Sequence, residues 1–241
     1  MRFQTASISD VGRRRQANED RCVLDPDLGL FLVADGMGGH KAGRTASELA
    51  SAAVMAALDT LQGAPGSLAE RLRYAVAAAN REIFTMAAEN ADLAGMGTTL
   101  VVLLAGEGRV SLAHVGDSRA YLVRAGGIRQ LTDDHSLVAE LLRRHKISED
   151  DARGHPHRHV LTRALGVRPS VEPDLAELTP LPEDVFVLCT DGLTNHLMDH
   201  EIAKIVSSTP DLEAAAKALV ECANGRGGED NITAVLVRCE G

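Results

Sequence analysis

The chain has 241 residues, with 25 Lys and Arg against 34 Asp and Glu, a formal net charge of −9. Apolar residues make up 45% and aromatic residues 2%, with no Trp, which is enough for a substantial core and excludes wholesale disorder. The acid excess and the scarcity of rings argue against a nucleic-acid binder, which needs basic surface and stacking platforms.

The opening residues Met1 to Gly12 hold no long apolar core, so no secretory signal is read. No stretch approaches the roughly 18–20 apolar residues that cross a bilayer. Cys22, Cys189, Cys222 and Cys239 are widely spaced and form no CxxC pair. Free thiols in a reducing cytoplasm are the expectation.

In chain order, Gln4 to Ser9 alternates like a strand and turns at Asp10-Val11-Gly12. Arg21 to Leu24 and Leu30 to Ala34 read as the next strands, with Asp25-Pro26-Asp27 as turn chemistry between them. Thr45 to Leu61 reads as an Ala- and Leu-rich helix stopped by Gly63-Ala64-Pro65-Gly66. Ser67 with Glu70 forms a capping box for a second helix, whose stripe is Leu68, Leu72, Ala75, Val76, Ala79 and Ile83.

Thr98 to Ala105, Arg109 to Val115, Arg119 to Arg124 and Ile128 to Leu131 then read as four strands joined by short turns, hence antiparallel neighbours. A charged, helical surface insertion is expected over about 136–160, with a second short helix capped by Ser148. Val185 to Thr190 reads as a buried strand. Thr209-Pro210 reads as cap and first residue of a helix to about Ala223, and Asn231 to Arg238 as the last strand. No linker or internal repeat divides residues 1–241, so one mixed domain is expected. The chain ends at Gly241, just past this strand, so regulation by separate partners or through expression is expected.

The acids fall at strand mouths. Glu19-Asp20 precedes a strand, Asp35 ends one before Gly36-Met37-Gly38-Gly39, Asp117 follows one, Asp191 ends one before Gly192, and Asp230 opens one. Strands are rigid supports, and an adjacent Gly lets backbone and ligand approach closely. Carboxylates brought together from several strands repel unless protonated or bound to cations. Oxygen-rich sites of this kind suit Mg²⁺ or Mn²⁺. Two other features weigh less. Gly36 to Gly39 lacks the Lys and Ser/Thr of a phosphate-binding P-loop. His155, His157 and His159 lack a Cys or acid at zinc-ligand spacing, so they read as solvent-exposed.

Arg15-Gln16-Ala17-Asn18-Glu19-Asp20, Asp35-Gly36-Met37-Gly38-Gly39-His40, Gly97-Thr98-Thr99, Gly116-Asp117-Ser118-Arg119, Leu161-Thr162-Arg163-Ala164-Leu165-Gly166, Asp191-Gly192-Leu193 and Glu229-Asp230-Asn231 occur in this order. This set resembles the metal-dependent Ser/Thr protein phosphatases of the PPM (type 2C) family in compact bacterial form, from about Ile8 to Val237. The resemblance implies an α+β fold, an αββα sandwich of two mostly antiparallel sheets flanked by helices, with a small helical flap near the active site. It implies two Mn²⁺ or Mg²⁺ ions, with a third, weaker one. Asp35 would bridge the two ions, Asp191 and Asp230 would hold the first, and Glu19 with the carbonyl of Gly36 the second. Asp20 would act from an outer or water-mediated position, and Asp117 with Asp191 would serve the third.

The implied reaction is direct attack on phosphoserine or phosphothreonine by a metal-bridging water or hydroxide, with Arg15 holding the phosphate oxygens. Met37 stands where eukaryotic relatives carry a His that is their candidate proton donor; His40 is the candidate here. The implied partners are phosphorylated proteins and a cognate bacterial Ser/Thr kinase, for a monomer without nucleic-acid or membrane partners. A catalytically silent phosphoprotein-binding module and a phosphatase dedicated to an anti-sigma-factor antagonist are the alternatives.

Overall fold

The computed structural model describes residues 2–148, 151–152 and 154–240, and of His40 the backbone alone. Its strands in chain order are β1 (Arg2–Asp10), β2 (Asp20–Asp25), β3 (Leu30–Met37), β4 (Gly97–Thr98), β5 (Leu100–Gly106), β6 (Arg109–Val115), β7 (Arg119–Arg124), β8 (Gly127–Gln130), β9 (Asp174–Leu178), β10 (Val185–Cys189) and β11 (Ile232–Glu240). The helices are α1 (His40–Thr60), α2 (Leu68–Glu89), α3 (Leu137–Arg143), the single turn α4 (Asp191–Thr194), α5 (Asp199–Ser208) and α6 (Leu212–Gly225). One sheet runs β1-β11-β10-β7-β8 and the other β2-β3-β5-β6-β9, with β4 paired to β3. The pairings are antiparallel throughout.

Three apolar layers hold four structural ones together. Leu30, Leu32 and Ala34 of β3 and Leu100, Val102 and Leu104 of β5 face α1 and α2. Phe31, Val33, Val101 and Leu103, the alternate residues, turn inward onto Phe186, Leu188, Val235 and Val237 of the opposite sheet. Val187, Cys189, Ala234 and Leu236 face outward onto α5 and α6. A strand buried on both faces has no polar alternation, which is why these segments read as continuous apolar runs. Small residues such as Ala46, Ala50, Ala75 and Ala79 let α1 and α2 pack closely over their sheet.

The α+β sandwich agrees with the expected architecture, and several local readings change. The four expected neighbours β5 to β8 divide: β5 pairs with β6 and β7 with β8, but β6 and β7 lie in different sheets. The chain crosses between sheets over Gly116–Ser118, and Gly116 takes φ 110 to do it. Helix α1 begins at His40, not Thr45, because Ala42 and Ala46 are buried and Gly43 packs against Gly36. Packing there overrides the weak helix propensity of Gly.

Thr209-Pro210 is the link between α5 and α6. The cap of α6 is Asp211, whose carboxylate accepts from the Glu213 amide at 3.2 Å. Strand β9 and helix α5 have no counterpart in the sequence reading. The box at Ser67 and Glu70 is present as expected, with reciprocal bonds of 3.2 and 2.8 Å. In the insertion, Ser136 caps α3, and the Ser148 hydroxyl accepts from the Asp151 amide at 3.2 Å; residues 149, 150 and 153 of the expected second helix lie outside the described residues. The four cysteines are free. Among the described residues, no helix is long and apolar enough to cross a membrane.

The inter-sheet layer carries the fold, so truncating it should be costly. Phe186 is fully buried there, and Phe186→Ala should cost about 3–5 kcal/mol. Urea unfolding should show a lower midpoint at unchanged slope. Tyr74→Ala, at a side chain 57% exposed on α2, should change stability by less than about 0.5 kcal/mol.

Candidate metal centre

The two sheets meet at one end, and Asp20 ties them. It opens β2 directly opposite Asp35 of β3. Its Oδ2 accepts from the Thr190 hydroxyl, just past β10, at 2.9 Å and from the Thr233 hydroxyl of β11 at 2.6 Å. One carboxylate oxygen of one sheet is thus gripped by two strands of the other. Its second oxygen, Oδ1, is buried with no hydrogen-bond partner.

Glu19 is set by backbone contacts. Its amide donates to Asn231 Oδ1 at 2.8 Å, and its carbonyl accepts from the Ser47 hydroxyl of α1 at 2.5 Å. Gly43, in the first turn of α1, leaves the space that the Glu19 carboxylate fills. A Cβ on Gly43 would stand 2.0 Å from Glu19 Oε2 and 2.8 Å from the Gly36 carbonyl oxygen. The Glu19 carboxylate and the Gly36 carbonyl therefore border one slot.

Asp35 is held through its backbone. Its carbonyl accepts from the Thr98 hydroxyl at 2.8 Å and the Thr99 amide at 2.9 Å, and its amide donates to the Thr99 hydroxyl at 3.0 Å. Thr99 in turn shares a 2.7 Å hydrogen bond with Ser118. The Thr98 hydroxyl thus serves backbone carbonyls and Ser118 holds the Thr99 side chain. Asp117 sits on the crossover between sheets. Asp191 starts α4, where its Oδ2 accepts from Asn195 Nδ2 at 3.1 Å while its Oδ1 is buried without a partner. Asp230 Oδ1 accepts from the Asn231 amide at 2.8 Å, and its Oδ2 accepts from Arg15 at 2.7 Å.

The electrostatics confirm that these groups converge. Burial, first of all, holds Asp35 and Asp117 well above the usual carboxylate range and raises Asp191. Asp35 is raised further by Asp20, Asp191, Asp117 and Asp230. Burial pushes Asp20 up to about 7, against the lowering effect of the two threonine hydroxyls. For Arg15, burial opposes the charge, and the bond to Asp230 with the fields of Glu19 and Asp35 outweighs it. The donor set is all oxygen, it is too negative to stay ionised alone, and two of its buried oxygens lack partners. Those properties fit hard divalent cations.

The structure therefore brings Arg15, Glu19, Asp20, Asp35, Gly36, Asp117, Asp191 and Asp230 to one mouth. His40 opens α1, and its side chain lies outside the described residues. The sequence reading had no role for Thr190, Thr233 or Gly43; single hydroxyls and a helix glycine carry no spacing signal. Of the flap histidines, His157 and His159 are exposed, and His159 Nδ1 comes within 4.0 Å of Asp191 Oδ2.

A family model described as Protein phosphatase 2C matches residues 6–232. The chain is 42% identical to the Serine/threonine phosphatase stp of Listeria monocytogenes over 237 residues, 95% of this chain and 93% of that protein. It is 37% identical to the Protein phosphatase PhpP of Streptococcus pneumoniae over 239 residues, 98% of this chain and 97% of that one. Among solved structures, the Mycobacterium tuberculosis serine/threonine phosphatase PstP/Ppp superposes with a TM-score of 0.92 at 37% identity, covering 100% of both chains. The catalytic domain of serine threonine protein phosphatase PstP in complex with two manganese ions superposes at 0.90 with 36% identity, covering 100% of this chain and 99% of that one. By sequence over nearly its full length, and by fold, the chain belongs to the protein phosphatase 2C family.

Proposed function

We propose that the chain is a metal-dependent phosphatase of phosphoserine and phosphothreonine in proteins, acting in the cytoplasm as a monomer against a cognate Ser/Thr kinase. The observation that carries the reading is the gathering of Glu19, Asp20, Asp35, Asp117, Asp191 and Asp230 beside Arg15 at the sheet mouth. The named phosphatase relatives and the manganese-bound PstP structure support it.

Asp35, Asp191 and Asp230 are assigned to one ion and Asp35, Glu19 and the Gly36 carbonyl to another, with Asp117 and Asp191 for a weaker third. Bound there, such ions lower the pKa of a water from ~15.7 towards ~7 and draw off phosphoryl charge. The chain's own residues do the rest. Thr190 and Thr233 fix Asp20 through Oδ2 and leave its buried Oδ1 without a partner. Thr98 and Thr99 fix the backbone of Asp35. Arg15, 45% exposed, is aimed by its 2.7 Å bond to Asp230 and presents its planar fork to phosphate oxygens.

Hydrolysis of a phosphothreonine peptide and of p-nitrophenyl phosphate should require Mn²⁺ or Mg²⁺. No turnover above buffer with Mn²⁺ present overturns the reading. Asp191→Asn should lower kcat by about 100-fold or more, since even residues behind a metal ligand are worth 10–100-fold. Gly43→Ala should displace the Glu19 carboxylate from its slot, so the Mn²⁺ concentration for half-maximal activity should rise by about 10-fold or more.

The raised carboxylates also set a stability profile. A carboxyl whose folded pKa lies above its unfolded value favours folding while protonated, and that contribution is lost as pH rises through the window. For Asp20 the window runs from the unfolded value of about 4 up to about 7. Metal-free protein should therefore melt at a lower temperature at pH 8 than at pH 6, and Mn²⁺ should restore the loss at pH 8. Calorimetry with and without chelator measures both arms. A metal-free melting point that rises with pH across this window would contradict the assignment.

A further inference from the structure

Three consecutive residues between β8 and α3 grip three different parts of the molecule. Asp134 takes Arg119 in a fork, with Arg119 Nε at 2.9 Å and its second amino group at 2.7 Å. His135 donates its backbone amide to the Gly116 carbonyl at 2.8 Å, and its Nδ1 accepts from the Gly116 amide at 3.1 Å. Ser136 caps α3 of the flap, its hydroxyl accepting from the Ala139 amide at 3.2 Å.

His135, Ser136 and Leu137 are joined to the far end of the flap. The His135 carbonyl accepts from the Thr162 amide at 2.8 Å, and Leu137 donates to the Val160 carbonyl at 2.8 Å. Ser136 and Leu161 form a bridge. The strands of the flap root therefore enter and leave against His135.

Gly116 has no slack. Its carbonyl also takes His114 Nε2 at 2.8 Å, and a Cβ on it would lie 2.6 Å from Thr99 Cβ. The two imidazoles stack at 4.4 Å with 28° between their planes, and both are buried. His135 Nε2 lies 3.2 Å from Asp174 Oδ2, and Arg163 holds the other Asp174 oxygen at 2.5 Å.

The nitrogens of His114 and His135 and the Asp174 carboxylate lie within 4.8 Å of one another, which by residue type suits an imidazole-binding cation. His114 Nδ1 and His135 Nε2 lack hydrogen-bond partners, but the bonds of the opposite ring nitrogens to Gly116 constrain both rings. The lone pair of His135 Nδ1 is engaged by the Gly116 amide, so a neutral ring carries its proton on Nε2, on the Asp174 side. A cation on Nε2 would have to move that proton to Nδ1, against the Gly116 N–H. Burial lowers the pKa of both rings, His114 to about 4. Arg163 already occupies Asp174.

We propose that His135 is a positioning residue that clips both peptide groups of Gly116, and so fixes the Asp117 carboxylate, one residue on, to the root of the flap. The proposal rests on the metal-dependent reading of the site, because its consequence is the geometry of the weakest cation position. Loss of the Nδ1 acceptor should loosen Asp117 and the flap together, while the ligands Asp35, Asp191, Asp230 and Glu19 stay in place.

Asn places an oxygen near where Nδ1 stands, and Gln places its amide nearer Nε2. His135→Gln should raise the midpoint of the weakest Mn²⁺ step by about 10-fold, counted by electron paramagnetic resonance of free Mn²⁺, and leave the tight steps unchanged. The KM for p-nitrophenyl phosphate at saturating Mn²⁺ should hold, while hydrogen exchange should quicken in residues 116–119 and 137–140. His135→Asn should recover most of the weak step. Wild-type Mn²⁺ binding in His135→Gln, or equal damage in both variants, overturns the clip.

If His135→Gln does not fold, the wild-type protein still decides: the Gly116 amide should exchange as slowly as the ladder amides of β7, and fast exchange overturns the clip. Wild-type protein that binds Mn²⁺ but hydrolyses neither test substrate would sink the phosphatase reading, while the Mn²⁺ titration still judges the clip.

Discussion

Buried like charges repel with an energy that grows as water is excluded, and this chain gathers Asp20, Asp35, Asp117 and Asp191 where its two sheets meet. Each is raised above its ordinary range, burial being the largest cause. A cluster like this is a standing cost to folding. It persists because rigid surroundings fix each carboxyl and because protons or cations can neutralise it. The rest of the molecule follows from that constraint: flexible supports would let the acids swing apart into solvent, and no site would form.

The supports are of three kinds. Antiparallel register sets Asp20 against Asp35. Hydroxyls reach across the sheets, with Thr190 and Thr233 on a single oxygen of Asp20. Missing side chains admit close approach, as where Gly43 makes room for Glu19 and where Gly192 passes the Asn231 carbonyl, 2.0 Å from an ideal Cβ position. The inter-sheet layer of Phe31, Val101, Phe186 and Val235 keeps these supports from sliding. Core packing and site geometry are thus one problem, since a shift between sheets would separate Asp20 from its threonines.

Much of this was legible because it is local. The capping box of α2 lies within four residues, and the double-faced strands announce themselves as apolar runs. The acids and their glycines fall at strand ends, where turn chemistry marks them. What was illegible depends on contacts far along the chain. Nothing near Val115 and Arg119 says that the strands on either side belong to different sheets. Strand β9 is a half-exposed edge carrying Asp174 and Glu177, with too little apolar pattern to stand out. The start of α1 at His40 depends on Gly36, on another element, and Asp211 outcompetes the nearer-looking Thr209-Pro210 start. Thr190 and Thr233 become site residues only when β10 and β11 are laid beside β2.

The net charge of −9 reads at first as a solubility property spread over the surface. The structure concentrates part of it in one mouth. Two divalent ions there would bring the formal total from −9 to −5, and the whole change would fall within the cleft. On the proposed reading, a phosphate approaching the loaded site would meet cations and Arg15, although the average surface around it stays acidic. That contrast selects for a doubly charged ester over an ordinary acidic side chain, because the fields of the ions are short-ranged in salt and reward the group that enters deepest. Few aromatics are then needed. On the proposed reading the phosphate would supply the recognition by its charge, and the flap root, bonded at His135 to Gly116, lies next to Asp117.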